Sequence, residues 1–72
     1  MSLKDFLQLY DDIYDVDIRD MMCSDVTSEA IRVYKGDTLS IDGKFDKKFF
    51  DKEVIKFRPA WSDEPSIVVY VR

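Results

Sequence analysis

The sequence predicts an α+β domain, an N-terminal amphipathic helix packed on an antiparallel sheet of about four strands. Three observations carry this expectation. Apolar residues near the N-terminus recur at helical period. From Tyr14 the period changes to two, and period-two runs return three more times before the C-terminus. Small, polar and turn-forming residues separate those runs.

In the segment SLKDFLQLY, Leu3, Phe6, Leu7 and Tyr10 form one helical stripe. Ser2 is a good N-cap, and Asp5, three residues on, suits the positive end of the helix dipole. Asp11 and Asp12 oppose the negative end, so the helix is expected to stop near Tyr10. In the following strand Tyr14, Val16 and Ile18 point one way and Asp15, Asp17 and Arg19 the other, which predicts a solvated charged face. CSDVTSEA reads as a loop. AIRVYKGD reads as a second strand, with Ile31 and Val33 on one face and Arg32 and Tyr34 on the other. TLSIDGKF is ambiguous between a short edge segment and a turn. DKKFFDK reads as one helical turn capped by Asp46, dropping Phe49 and Phe50 into the core. EVIKFRP is a third strand, with Ile55 and Phe57 sharing a face, and AWSDEPS is the hairpin loop after it. SIVVYVR is the most apolar strand and is placed centrally.

The chain of 72 residues is read as a single domain, 1–72, with a thin core. A lone cysteine, Cys23, rules out an internal disulfide, and the lack of histidine rules out a Cys/His zinc site. The N-terminus has neither a basic region nor a continuous apolar run, and no stretch has the length of a membrane span, so a cytoplasmic protein is expected. The net charge of −4 is uneven, with −6 over residues 1–29 and +2 over residues 30–72.

The densest charge lies in YDDIYDVDIRD, where Asp11, Asp12, Asp15, Asp17 and Asp20 fall within eleven residues. A calcium loop starting at Asp15 fails, because Arg19 stands at its fifth position, Asp20 at its sixth and Val26 at its twelfth. Carboxylate-pair catalysis needs a buried acid, and these acids are expected at a helix end and on a wet strand face. Histidine chemistry is impossible, Cys23 lacks a histidine to activate it, and the two glycines, Gly36 and Gly43, make no phosphate loop. The sequence therefore points away from an enzyme and names no cofactor and no metal. Carboxylates alternating along a strand recur every ~6.6 Å, close to two phosphate rises of a nucleic-acid strand, so this segment is also suited to nucleic-acid mimicry. Ordinary solubility is the plainer explanation. The cluster Lys44, Lys47, Lys48, Lys52, Lys56 and Arg58, interleaved with Phe45, Phe49, Phe50 and Phe57, suits single-stranded nucleic acid, but Asp46, Asp51 and Glu53 dilute it. Trp61, between two prolines, is either an interface anchor or a ring folded over the sheet edge.

The segments LKDFLQLYDD, VDIRD, IRVYKGD, FFDKEVIKF and the terminal IVVYV resemble small acidic proteins of unknown function encoded in phages and mobile elements of low-GC Gram-positive bacteria. MMCSDVTSEA is longer than a tight hairpin turn, and SIDGKF looks like an insertion relative to that pattern. The resemblance covers most of the chain and implies a setting in which small proteins bind and disable host machinery. It carries over no catalytic residue.

Together these features predict a small acidic protein-binding module that occupies a surface on a larger host protein, such as a nucleic-acid enzyme. Asp11, Asp12, Asp15, Asp17, Asp20 and Trp61 are the expected contact residues. Reversing the charge of Asp15 and Asp17 is expected to weaken binding and leave the fold intact. The alternatives are a self-associating homodimer and a weak nucleic-acid binder through the Lys44–Arg58 face, the latter opposed by Asp46, Asp51 and Glu53 within the same stretch.

Overall fold

The computed structural model describes residues 1–10, 14–37, 45–61 and 65–72. Its helix α1 spans Leu3–Leu9. Ser2 caps it as expected, its hydroxyl accepting from the Asp5 amide at 3.2 Å. Leu3 is the helix's buried residue, and Phe6 and Leu7 lean on the same core. The expected stop at Tyr10 is observed, with Tyr10 in extended conformation at the C-cap.

Four strands follow: β1 (Asp15–Asp20), β2 (Ile31–Gly36), β3 (Val54–Trp61) and β4 (Pro65–Val71). Their order across the sheet is β2-β1-β4-β3. The outer pairs β1/β2 and β3/β4 are antiparallel, but the central pair β1/β4 is parallel, so the sheet is mixed. Each antiparallel pair joins strands successive along the chain. The two pairs then meet through β1 and β4, whose directions agree. β4 is central, and its residues from Val68 to Val71 are all buried. A 3-10 turn at Thr27–Glu29 occupies the predicted loop between β1 and β2. A second 3-10 turn at Lys47–Asp51 begins at Asp46, whose side chain accepts from the Lys48 amide. The ambiguous segment TLSIDGK lies outside the described residues.

One sheet face carries Val16 and Ile18 of β1, Val69 and Val71 of β4, and Tyr34 of β2. α1, Phe45, Phe49 and Phe50 cover it and complete the main core. The opposite face has a smaller cluster, Met21, Val68 and Tyr70, with Ala30 and Ala60 against it.

Strict alternation is broken once on each edge strand. In β2 the register shifts so that Ile18 pairs with Tyr34 but Arg19 pairs with Arg32, which leaves Val33 as the extra residue of a bulge. Arg32 and Tyr34 therefore lie on opposite faces, against the expectation that they share one. In β3 the register shifts between Val54 and Lys56, and Ile55 is the extra residue. Ile55 and Phe57 thus do not form the expected regular pair. Trp61 is the last residue of β3, paired with Pro65, and not a member of the hairpin loop. At the end of β2, Gly36 holds φ +154°, and a Cβ there would stand 2.9 Å from the Tyr34 hydroxyl oxygen.

Candidate interaction site

The structure places the acidic segment differently from the wet face that alternation suggests. Asp17 does lie opposite Val16 and Ile18, yet it is only 3% exposed. Two arginines cover it. Arg19 donates through Nη2 to Oδ2 at 3.1 Å, and Arg32 donates through Nε and Nη2 to Oδ1 and Oδ2, each at 3.1 Å. The hydrogen bond to Asp17 is the largest cause raising the Arg19 pKa above its ordinary value. Asp20 is also buried; it accepts from the Met22 amide at 2.8 Å and faces the Lys52 ammonium at 3.4 Å. Asp15 is half-buried at the start of β1. Asp11 and Asp12 lie outside the described residues. Two of the three described aspartates of this segment are thus matched within the protein. Among the described residues, no group of three or more Cys, Asp or Glu side chains is placed to hold a metal ion.

The β2 bulge builds the Asp17 clamp. Without the extra residue at Val33, continuous alternation from Tyr34 would put Arg32 on the core face, away from Asp17.

The basic cluster is divided too. Lys47 and Lys48 are exposed on the second 3-10 turn, Lys52 pairs with Asp20, and Lys56 and Arg58 project from the other face of β3. Lys44 lies outside the described residues. Phe45 is buried, and it meets Phe49 and Phe50 at centroid distances of 5.4 and 5.3 Å, so these rings fill the core.

The unfilled apolar surface lies elsewhere. A seven-residue helix is only ~10 Å long, too short to span one face of a four-stranded sheet whose strands stand ~4.8 Å apart. The β3 side of that face is left open as a groove of about 480 Å³. Phe6, Leu9 and Tyr10 line it from the helix side and Phe57 and Ile67 from the sheet, with Met1 and Tyr14 also in its lining. Phe6 meets Phe57 at a centroid distance of 5.3 Å. Trp61 stands beside the groove, edge-on to Tyr14 at 6.0 Å, and is still 72% exposed. It both touches the sheet's own aromatic surface and presents its ring to solvent. Leu9 is 75% exposed and Phe57 61% exposed.

β3 is also a sheet edge. The N-terminal residues cover its start, where the Val54 amide donates to the Met1 carbonyl at 2.8 Å and Ser2 bridges Glu53. From Ile55 to Trp61 no further strand among the described residues pairs with its outer side. An open edge beside an apolar groove can accept an extended segment, by backbone pairing on one side and side-chain burial on the other.

Leu9 and Met1 were not among the residues singled out from sequence, and Phe57 was named only as a strand residue and as part of the basic and aromatic cluster. Leu9 lies off the helical stripe, and Phe57 reads as an ordinary inward strand residue. The available signal was the disproportion between one short helix and four strands.

Among the described residues, no helix is long and apolar enough to cross a membrane. Comparison with protein-family models, with curated proteins and with solved structures finds no match.

Proposed function

We propose that this protein is a small non-enzymatic binding module that docks on a larger protein. Its occupant is an extended apolar segment of that partner, laid along β3 from Ile55 to Trp61. The observation that carries the proposal is the continuity of the open β3 edge with the apolar groove and the exposed Trp61 ring. Apolar surface of this kind, rimmed by charge and rich in aromatic rings, is typical of interaction sites. A cytoplasmic setting and a phage or mobile-element origin belong to the same proposal. The first rests on the single cysteine and the second on the sequence resemblance. Use as a nucleic-acid mimic draws less support, since Asp17 and Asp20 are matched internally.

The test compares the wild type, the double variant Phe57→Ser/Trp61→Ser and the control Lys47→Gln as baits in nuclease-treated host lysate. The expected result is one stoichiometric partner retained by the wild type and the control and lost by the double variant, with circular dichroism unchanged. Removing anchors of this kind costs about 2 kcal/mol or more of binding each. Equal retention by all three baits would overturn the groove as the docking site.

A further inference from the structure

On the face opposite the helix, the pairing registers align side chains in rows across the sheet. One row runs Arg32, Arg19, Tyr70, Lys56, from one edge to the other. The next runs Lys35, Asp17, Val68, Arg58. Five cations thus share a patch whose central carboxylate, Asp17, is already clamped by Arg19 and Arg32. The chain is acidic overall, yet among the described residues neither Lys56 nor Arg58 has a carboxylate partner.

These two cations meet at a pocket of about 120 Å³, lined also by Thr27, Phe57 and Tyr70. The Lys56 ammonium sits 5.4 Å from the centre of the Tyr70 ring. Tyr70 is only 3% exposed, and its hydroxyl accepts from Arg58 Nε at 3.3 Å. Among the described residues the Tyr70 hydroxyl donates no hydrogen bond, so its proton is available to an acceptor in the pocket. The pocket therefore offers an ammonium, the remaining guanidinium N–H groups of Arg58, the Thr27 hydroxyl and the Tyr70 hydroxyl, with no carboxylate in its lining. Donors of this number and charge suit a compact oxyanion with more oxygens than a carboxylate has.

We propose that the pocket between Lys56, Arg58, Thr27 and Tyr70 binds a phosphoryl group. Tyr70 is too buried to stack on a base, so recognition is of the phosphate and independent of sequence. This site lies on the face of β3 opposite the apolar groove, with Phe57 lining both, and its test uses phosphate probes and no docking partner.

Amide and side-chain NMR signals of labelled protein provide the test, with inorganic phosphate, a phosphoserine peptide and a short thymidine oligonucleotide as three probes. Sodium chloride at matched ionic strength is the comparator. The expected result is saturable movement of the Thr27, Lys56, Arg58 and Tyr70 signals with inorganic phosphate, and at least about tenfold weaker binding in Lys56→Gln/Arg58→Gln. Tighter binding of the peptide or of the oligonucleotide, at the same signals, identifies the source of the phosphoryl group. Thr27→Val, which leaves both cations in place, is expected to weaken binding as well and serves should the double variant fail to fold. Shifts no larger than those from chloride, or shifts that survive both substitutions, would overturn the proposal.

Discussion

Asp17 shows how a residue's type and its surroundings divide the work. Its carboxylate is buried, and in isolation that would cost several kcal/mol. Arg19 and Arg32 offset the cost by charge-assisted hydrogen bonds in paired geometry. Removing the charge while keeping the shape leaves one acceptor oxygen for two guanidinium groups and turns an NH2 donor toward their N–H groups. Asp17→Asn is therefore expected to lose about 1–3 kcal/mol of stability, read from urea unfolding. Asp15→Asn, at a half-buried position outside the clamp, is expected to stay within about 0.5 kcal/mol of wild type. Equal effects at both positions would contradict the clamp. Charge reversal at Asp17 is now expected to damage the fold, because a lysine would add a third cation to a buried site. The alternation of YDVDIRD made the side of the strand legible. It did not make the burial legible, because the second covering arginine, Arg32, comes from a different strand and reaches Asp17 through a bulge.

At the scale of elements, α1 is too short to be stable alone, since isolated helices need ~12–15 residues even with favourable sequences. Its anchor is Leu3, buried against Val16, Ile18, Val69 and Val71 in the main core. The Leu3 amide also donates to the Lys52 carbonyl at 2.8 Å, tying the helix to the segment that leads into β3. Leu3→Ala is expected to cost about 2–4 kcal/mol and to raise amide exchange first in residues 3–9. Exchange rising evenly over the whole sheet would show instead that the helix and the sheet open as one unit. The helix, its cap, the four strands and both turn regions were readable, because period and capping are local signals. The parallel pairing of β1 with β4 was not, since neither strand encodes its neighbour. The two bulges were not readable either. Val33 and Ile55 are ordinary strand residues, and their extra position exists only relative to the partner strand.

The whole molecule presents an apolar groove on one face of the sheet and a cationic patch on the other, with β3 contributing to both. The candidate groove was barely legible, because it is defined by what the short helix fails to cover. Trp61 stood out in sequence as an anchor, whereas Phe57 stood out only beside the lysines of the basic cluster. The open β3 edge raises the question of self-pairing. A second copy added antiparallel about Phe57 would set Lys56 of one chain opposite Arg58 of the other on the same face, and like charges directly opposite are destabilising. Pro59 removes one backbone donor from that edge, and the bulge at Ile55 twists its start. The net charge of −4 adds a general repulsion between copies. The protein is therefore expected to sediment as a monomer of 8.5 kDa across a wide concentration range at low salt. A partner segment carrying acidic residues on the Lys56 side and apolar residues on the groove side would meet no such conflict. A dimer that persists in the wild type and dissociates in Phe57→Ser would assign the groove to a second copy of this chain, and with it replace the larger partner by self-association.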